Sequence, residues 1–178
     1  GEARRPFTEA MREVAVNRLV GYGLDEKMQM GPVISAESKN RIEGLIYKGI
    51  QEGAMALVDG RGAKVAGYEG GHFIRPTLLD NLNPRSELAG TEIFGPVLGL
   101  VHLNTIEDAI AFTNNARYGN MACLFTSSGA HARQFRYEAE VGNIGINIGV
   151  AAPMAFFPFS GANESFFGDL HGQHGEVE

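Results

Sequence analysis

The stretch "VLGLVHL" (residues 97–103) is apolar at nearly every position, and two stretches of the same kind follow it, "MACLFTS" (121–127) and "GNIGINIGV" (142–150). A short run that is apolar throughout is typical of a strand covered on both faces. Amphipathic helical patterns separate the three runs. Strands that alternate with helices across short connections pair in parallel, with right-handed crossovers. The sequence therefore predicts an α/β fold, a layered, mostly parallel sheet with flanking helices.

Three helices have recognisable starts. Thr105 followed by Asp108 resembles a capping box, in which a side-chain oxygen accepts a hydrogen bond from a backbone N–H three residues on. The apolar stripe after Thr105 predicts a helix that ends near residues 118–119. Ser128 is expected to open a second helix, and Ser35 is expected to be the N-cap of a third.

The first half of the chain is helical at its start and extended afterwards. Apolar residues at helical spacing predict helices over 6–20 and 36–53. "AMALVDG" (54–60) reads as a short strand. "GHFIRPTLLDNL" (71–82) reads as an extended stretch whose register a proline interrupts.

Length and charge limit the classes of function. With 178 residues the chain can bury roughly two-thirds of its unfolded surface, and we expect residues 1–178 to form a single domain. The net charge of -6 at pH 7 and the pI near 5.4 argue against a nucleic-acid partner, because a phosphate backbone requires a basic face. The longest apolar run, 149–159, is far shorter than the ~20 residues of a membrane span, so no membrane partner is expected. One cysteine and no signal peptide indicate a reducing compartment, and we expect a cytoplasmic location.

Neither cysteine nor histidine predicts a catalytic or metal site. Cys123 lies in a core-like strand, where a thiol is more often a small buried side chain than a nucleophile. The histidines show no metal-ligand spacing backed by acids or cysteines; they are His72, His102, His131, His171 and His174. The last two, three apart in a Gly-rich tail, could hold a metal, but a solvated tail is the commoner case. We therefore predict no catalytic residue and no metal in this chain.

The stretch "TEIFGPVLGLV" (91–101) places a carboxylate and a phenyl ring directly before a Gly-Pro break. Gly95 and Pro96 fix the backbone, so a rigid turn aims the residues before them. Glu92 could accept two hydrogen bonds from vicinal hydroxyls such as those of a ribose, and Phe94 could press against a flat heterocycle. The alternative is a turn with an exposed glutamate and a core phenylalanine. The spacing leaves both open.

A second unusual segment runs from residue 147 to residue 170. It is rich in phenylalanine and broken by glycine and proline, so it fits neither a helical nor a strand period. Irregular segments that are this apolar usually line a pocket or an interface. A buried structural loop is the alternative.

Five segments share features of one family, in one order across nearly the whole chain: "MGPVIS" (30–35), "EIFGPVL" (92–98), "ACLFTS" (122–127), "GINIGVAAPMAFFPFSG" (145–161) and "SFFGDLH" (165–171). Together they resemble the aldehyde dehydrogenase superfamily. "EIFGPV" is typical of the whole superfamily, while "APMAFFPFSG" (152–161) and "SFFGDLH" resemble its coenzyme A-acylating branch, the methylmalonate-semialdehyde dehydrogenases. Ala162-Asn163 departs from the family, which usually has an aromatic residue and a lysine there.

The resemblance implies roles for four residues. In the family the Glu of E-x-F-G-P holds the nicotinamide ribose hydroxyls and the Phe buttresses the nicotinamide ring, which implies cofactor binding by Glu92 and Phe94. Phe159 matches the aromatic residue that lines the aldehyde channel, and Asn147 matches an asparagine on the strand leading into it. NAD as cofactor, coenzyme A as co-substrate, a small-molecule aldehyde as substrate and a homo-oligomeric complete enzyme are implied in the same way.

The resemblance also implies that this chain is the C-terminal portion of a catalytic domain. In the family a cysteine thiolate attacks the aldehyde, hydride passes to NAD, and coenzyme A or water releases the thioester. The family's nucleophile lies upstream of the first matching segment, and Cys123 aligns with a buried strand position. The chain alone is therefore expected to be inactive. The alternative is a non-catalytic fragment that acts as a binding or assembly module through its apolar loop 149–159.

Overall fold

A computed structural model describes residues 3–154 and 159–167. The chain divides into two compact units, residues 1–102 (unit 1) and residues 103–178 (unit 2). Both are of mixed α/β type with parallel strand pairs and flanking helices, which confirms the predicted fold class. A single domain over 1–178 stays a prediction.

The described part of unit 1 contains two α-helices, a short 3-10 helix (Leu88–Gly90) and a three-stranded sheet. The α-helices are α1 (Arg4–Asn17) and α2 (Ala36–Gln51), and the strands are β1 (Met55–Val58), β2 (Thr77–Asp80) and β3 (Val97–Gly99). The strand order is β1-β2-β3, with β1 antiparallel and β3 parallel to β2. Strand β2 begins directly after Pro76, as expected for a residue that cannot donate a ladder hydrogen bond.

Helix α2 provides much of the core of unit 1. Ser35 is its N-cap, as predicted, since its hydroxyl oxygen accepts a hydrogen bond from the Ser38 N–H at 3.1 Å. Ile42 and Ile46 on its inner face are completely buried. They pack with buried residues from the sheet and its loops: Ala54, Ile74, Leu79, Leu82 and Leu88. Burying an isoleucine of this kind stabilises a fold by about 1.5–3 kcal/mol.

Unit 2 contains helices α3 (Ile106–Asn114) and α4 (Gly129–Glu138) and strands β4 (Tyr118–Gly119), β5 (Met121–Leu124), β6 (Asn143–Ile146) and β7 (Ala162–Asn163). Strands β5 and β6 pair in parallel across α4, as the strand–helix–strand pattern predicts. Strands β4 and β7 form an antiparallel pair. A core of Ile110, Phe135 and Ala139 joins the two helices to the β5–β6 pair.

Helix α3 begins where the sequence predicts but ends earlier. The Thr105 hydroxyl accepts a hydrogen bond from the Asp108 N–H at 3.0 Å. The predicted end at residues 118–119 is wrong, because α3 stops at Asn114 and those two residues form β4. Asparagine side chains compete with the helix for backbone groups here: the Asn115 amide donates to the Ala111 carbonyl at 2.7 Å.

A charged cluster ties the end of β2 to its neighbours in unit 1. The His102 ring nitrogen Nε2 hydrogen-bonds the Asp80 carboxylate, and the Arg4 guanidinium of α1 lies 3.9 Å from that carboxylate. Burial by itself raises the pKa of Asp80. Hydrogen bonds from His102 and from the Asn81 backbone N–H, with the charges of His102 and Arg4, outweigh burial and leave the pKa below its ordinary value.

Asp80→Asn is therefore expected to lower the free energy of unfolding near pH 7 by about 1–3 kcal/mol, and by less near pH 3. A carboxylate whose pKa is lowered by folding adds stability above its unfolded pKa of about 3.9, and this stability is lost as the pH falls through the folded pKa. Urea unfolding at both pH values measures the difference. Glu13→Gln, an exposed change on α1, is the control that should show no such dependence. An equal loss for Asp80→Asn at both pH values would contradict the assignment.

Candidate functional site

The 92–96 corner, residues Glu92 to Pro96, leads directly into β3. The Val97 N–H donates to the Gly95 carbonyl at 2.8 Å, which closes a tight turn around Pro96. The Thr77 N–H of β2 donates to the Pro96 carbonyl, also at 2.8 Å. These two hydrogen bonds fix the corner to the edge of the sheet, so the rigid turn expected from the Gly-Pro pair is present.

Helix α2 holds the same corner through two consecutive residues. A Cβ added to Gly95 would lie 2.7 Å from Ile42 Cδ1, so glycine allows the backbone to approach this buried side chain closely. The Arg41 guanidinium donates from Nη2 to the Ile93 carbonyl. These contacts were not predicted from the sequence. The helical period identifies Ile42 as a core residue, but no local signal connects Arg41 to a carbonyl 52 positions away.

Phe94 is both exposed and held in an unfavourable backbone conformation. Its φ of 53° lies in the left-handed region that glycine adopts readily and other residues rarely do. Its side chain is 78% exposed, so the alternative of a core phenylalanine is wrong. Backbone strain of this kind costs of order 1–3 kcal/mol and occurs where surrounding contacts enforce it, often at ligand sites. An enforced, solvent-facing ring is more typical of a binding contact than of packing.

Glu92 is exposed as well. Its carboxylate makes no hydrogen bond or ion pair with any residue in 3–154 or 159–167. Both oxygens can therefore accept hydrogen bonds from a ligand, and a carboxylate that accepts from two neighbouring hydroxyls makes charge-assisted bonds.

In unit 2, Asn147 directly follows β6 and hydrogen-bonds the backbone at the end of β5. Its Oδ1 accepts from the Thr126 N–H at 2.8 Å and its Nδ2 donates to the Thr126 carbonyl at 3.0 Å. Its backbone N–H donates to the Leu124 carbonyl, and its φ is 57°. Both polar atoms of the side chain are thus engaged with backbone. A place for Asn147 in a substrate channel stays a prediction.

Phe159 is half-buried and meets Phe166 edge to face, with ring centroids 6.5 Å apart and planes at 68°. The loop that follows Phe159 is tied back to β6, since the Asn143 amide donates to the Ser160 carbonyl at 3.2 Å. Ala162-Asn163, the pair that departs from the family pattern, forms β7 against β4. Phe159 as a channel residue stays a prediction, as does any arrangement that brings it to the 92–96 corner.

The cysteine and histidine residues considered from the sequence do not form a catalytic or metal site among the described residues. Cys123 is half-buried rather than fully buried; its strand β5 pairs with β6, and no second strand covers it in the described part of the chain. No group of three or more metal-ligating side chains occurs among the described residues. His171 and His174 lie outside them, as do 155–158 of the apolar loop. No helix in the described ranges is long and apolar enough to cross a membrane.

Comparison with known proteins gives consistent matches over nearly the whole chain. The model of the "Aldehyde dehydrogenase family" matches residues 2–177. A malonate-semialdehyde dehydrogenase of Halalkalibacterium halodurans is 43% identical over 171 residues, which cover 96% of this chain and 35% of the relative. Malonate-semialdehyde dehydrogenase 2 of Bacillus thuringiensis is 44% identical over 168 residues, covering 93% and 34%. The chain thus spans about a third of the length of these curated relatives.

Solved structures match in the same way. The crystal structure of methylmalonate-semialdehyde dehydrogenase from Oceanimonas doudoroffii superposes with a TM-score of 0.93 at 37% identity, covering 97% of this chain and 36% of that one. Betaine aldehyde dehydrogenase from Staphylococcus aureus in complex with NAD+ gives a TM-score of 0.90 at 27% identity, covering 98% and 35%.

Proposed function

Because this chain belongs to the aldehyde dehydrogenase family, we propose that it is part of an NAD-dependent, coenzyme A-acylating semialdehyde dehydrogenase. Its contribution is the wall of the nicotinamide site, through Glu92 and Phe94, and the substrate channel, through Phe159 and Asn147. The activity belongs to the complete enzyme, a homo-oligomer that acts on a small-molecule semialdehyde. Similarity to malonate- and methylmalonate-semialdehyde dehydrogenases supports this class of substrate.

The observation that carries the proposal is that Phe94 is exposed while its backbone is held in a left-handed conformation. Packing against residues 3–154 and 159–167 does not explain the ring of Phe94, a residue that is 78% exposed at a φ of 53°. A flat heterocycle lying against the ring would remove this apolar surface from water. The free carboxylate of Glu92, two residues earlier, fits the vicinal hydroxyls of a ribose attached to that heterocycle. The residues of the corner therefore fit the nicotinamide half of NAD.

When bound, NAD supplies the hydride acceptor of the reaction. Glu92 accepts hydrogen bonds from the ribose hydroxyls, which fixes the position of the sugar. Phe94 packs against the nicotinamide and restricts its rotation. Since Arg41 and Ile42 already hold the corner, little reorganisation is needed when the cofactor binds, and this pre-organisation favours catalysis.

We assign no catalytic residue to this chain. The nucleophile of the family is a cysteine thiolate, and a reactive cysteine sits beside a cation or a helix N-terminus. Cys123 lies instead within β5, where its Sγ would be 2.8 Å from a Cβ added to Gly145. We therefore propose that the chain alone forms no NADH from a semialdehyde, and that acyl transfer to coenzyme A needs the complete enzyme.

Glu92→Gln tests the proposal in the complete enzyme. Loss of charge-assisted hydrogen bonds of about 1.5–3 kcal/mol should slow hydride transfer roughly 10- to 100-fold without unfolding the protein. Single-turnover NADH formation, followed by absorbance, measures the hydride step directly. Glu26→Gln, an exposed change in a loop of the same unit, is the matched control and should leave the rate unchanged.

The same experiment separates the second candidate, a non-catalytic binding or assembly module. Val150 and Met154, 70% and 65% exposed in the apolar loop, favour a surface that another polypeptide covers. If the chain serves only in assembly, Glu92→Gln will leave the hydride step as fast as in the wild type. That result would also remove Glu92 from the cofactor site.

A further inference from the structure

Strands β5 and β6 hold both ends of the segment 151–160 through one pair of residues. Met121 of β5 and Asn143 of β6 are partners in the parallel ladder, so their side chains lie on the same face of the sheet. The Met121 sulfur accepts a hydrogen bond from the Ala151 N–H at 3.2 Å, where the segment begins. The Asn143 amide donates to the Ser160 carbonyl at 3.2 Å, where the segment ends. Both ends of the segment are therefore anchored at the start of the β5–β6 pair.

The Asn143 side chain is itself held in a defined position. Its Nδ2 also donates to the Asn120 carbonyl at 3.2 Å, so one amide nitrogen uses both of its hydrogens on two backbone carbonyls. The backbone N–H of Asn143 donates to the same Asn120 carbonyl at 3.0 Å. A side chain that is fixed by several hydrogen bonds in this way can position the group that it contacts.

Asn143 contacts the chain directly beside Phe159. In the described ranges, no other side chain hydrogen-bonds the backbone of residues 159–161. The pairing of β7 with β4 holds the chain only from residue 162 onward. The position of the half-buried Phe159 ring thus depends on the hydrogen bond that Asn143 makes with the next residue, Ser160.

We propose that Asn143 is a positioning residue for the aldehyde site, because it fixes the backbone next to Phe159 and so determines where that ring lies in the substrate channel. The inference rests on the channel role proposed above for Phe159. A displacement of about 1 Å near a reacting group can slow a reaction about 100-fold. The proposed NAD contacts, Glu92 and Phe94, belong to unit 1 and to other elements. Loss of the anchor should therefore impair use of the aldehyde and leave NAD binding unchanged.

Asn143→Asp in the complete enzyme tests the anchor itself. The substitution removes both donated hydrogen bonds and places a carboxylate against two carbonyl oxygens. We expect hydrogen exchange in a peptide that covers 159–165 to become at least tenfold faster. Asn104→Asp, which adds the same charge at an exposed position of unit 2, should leave this exchange unchanged.

Asn143→Leu removes the donors without adding a charge and should act in the same direction, so the test does not depend on how the carboxylate is tolerated. Exchange at the wild-type rate in both Asn143 variants would overturn the proposal.

Steady-state kinetics with malonate semialdehyde, at saturating NAD and coenzyme A, measure the consequence for the reaction. We expect kcat/KM for the semialdehyde to fall about tenfold or more in Asn143→Asp, while the Kd of NAD stays within about twofold of the wild type. A smaller fraction of folded enzyme would instead lower kcat and leave KM unchanged, and that result would contradict a positioning role.

Phe159→Ala, measured in parallel, separates this inference from the proposed function. If Phe159→Ala lowers kcat/KM for the semialdehyde and Asn143→Asp does not, the positioning role is wrong and the channel role of Phe159 stands. If neither variant affects the semialdehyde, the channel role fails and the inference fails with it. Loss in both variants, together with faster exchange at 159–165 in Asn143→Asp, is the result that we expect.

Discussion

Gly142→Ala is expected to lower the free energy of unfolding of unit 2 by about 3 kcal/mol or more, or to prevent the unit from folding. A Cβ at this position would lie 1.9 Å from the Ser160 carbonyl oxygen and 2.5 Å from its carbon. These are backbone atoms, so no change of side-chain rotamer relieves the clash. The loop after Phe159 would have to move away from β6 and lose the hydrogen bond from Asn143.

The control for this substitution is Gly149→Ala in the same unit. No atom lies within 4 Å of a Cβ added to Gly149. Its effect on stability should therefore stay within a few tenths of a kcal/mol. Urea unfolding of both variants gives the difference, and hydrogen exchange at residues 159–165 reports whether the loop has detached. Similar stabilities for the two variants would show that the contact with Ser160 does not constrain the loop.

Local signals predicted the elements of this protein well. Ser35 and Thr105 both accept the expected cap hydrogen bonds, because capping depends on residues three positions apart. The parallel β5–β6 pair follows from a short strand–helix–strand order. The end of α3 was less predictable, because it depends on Asn114 as well, whose amide bonds the Glu138 carbonyl of α4.

Local sequence patterns could not predict which distant segments pair as strands. The 97–103 run was predicted as the first strand of a series with 121–127 and 142–150, but β3 pairs with β2, through contacts such as the one from the Thr77 N–H to the Pro96 carbonyl. Such a hydrogen bond involves only backbone atoms, so it leaves no trace in residue type. The two small strands β4 and β7 were missed for the same reason.

In the candidate site, too, local features could be predicted from the sequence and long-range contacts could not. Sequence pattern identified the Gly-Pro turn and the two residues before it, but it left open whether Phe94 is a core residue. The structure decides that point, because the ring is exposed and its φ is positive. The contacts by which Arg41 and Ile42 hold the 92–96 corner could be identified only from the structure. Asn147 was chosen by resemblance, and its side chain proves to be engaged with Thr126.

Ile42→Ala is expected to lower the free energy of unfolding of unit 1 by about 2–5 kcal/mol. Ile42 is completely buried in the core and also supports the corner at Gly95, so its removal leaves a cavity that the fixed backbone cannot easily fill. Ile34→Ala is the matched control, since Ile34 is 92% exposed and should contribute little. Chemical denaturation of the two variants measures the difference. Equal losses would show that the contacts of Ile42 do not determine the stability of this unit.

The contact between Ile42 and Gly95 can be isolated by changing both residues. Gly95→Ala alone should cost about 1–3 kcal/mol through overpacking, because the new methyl group meets Ile42 Cδ1 at 2.7 Å. The φ of Gly95 lies outside the left-handed region, so the backbone itself tolerates alanine. Ile42→Val deletes the Cδ1 methyl group, and the double variant should lose about 0.5–3 kcal/mol less than the sum of the two single variants. If the two losses simply add, close approach to α2 is not the reason for glycine at this position. The 92–96 corner would then be held mainly by the hydrogen bonds that the Pro96 carbonyl accepts from Thr77 and the Ile93 carbonyl accepts from Arg41.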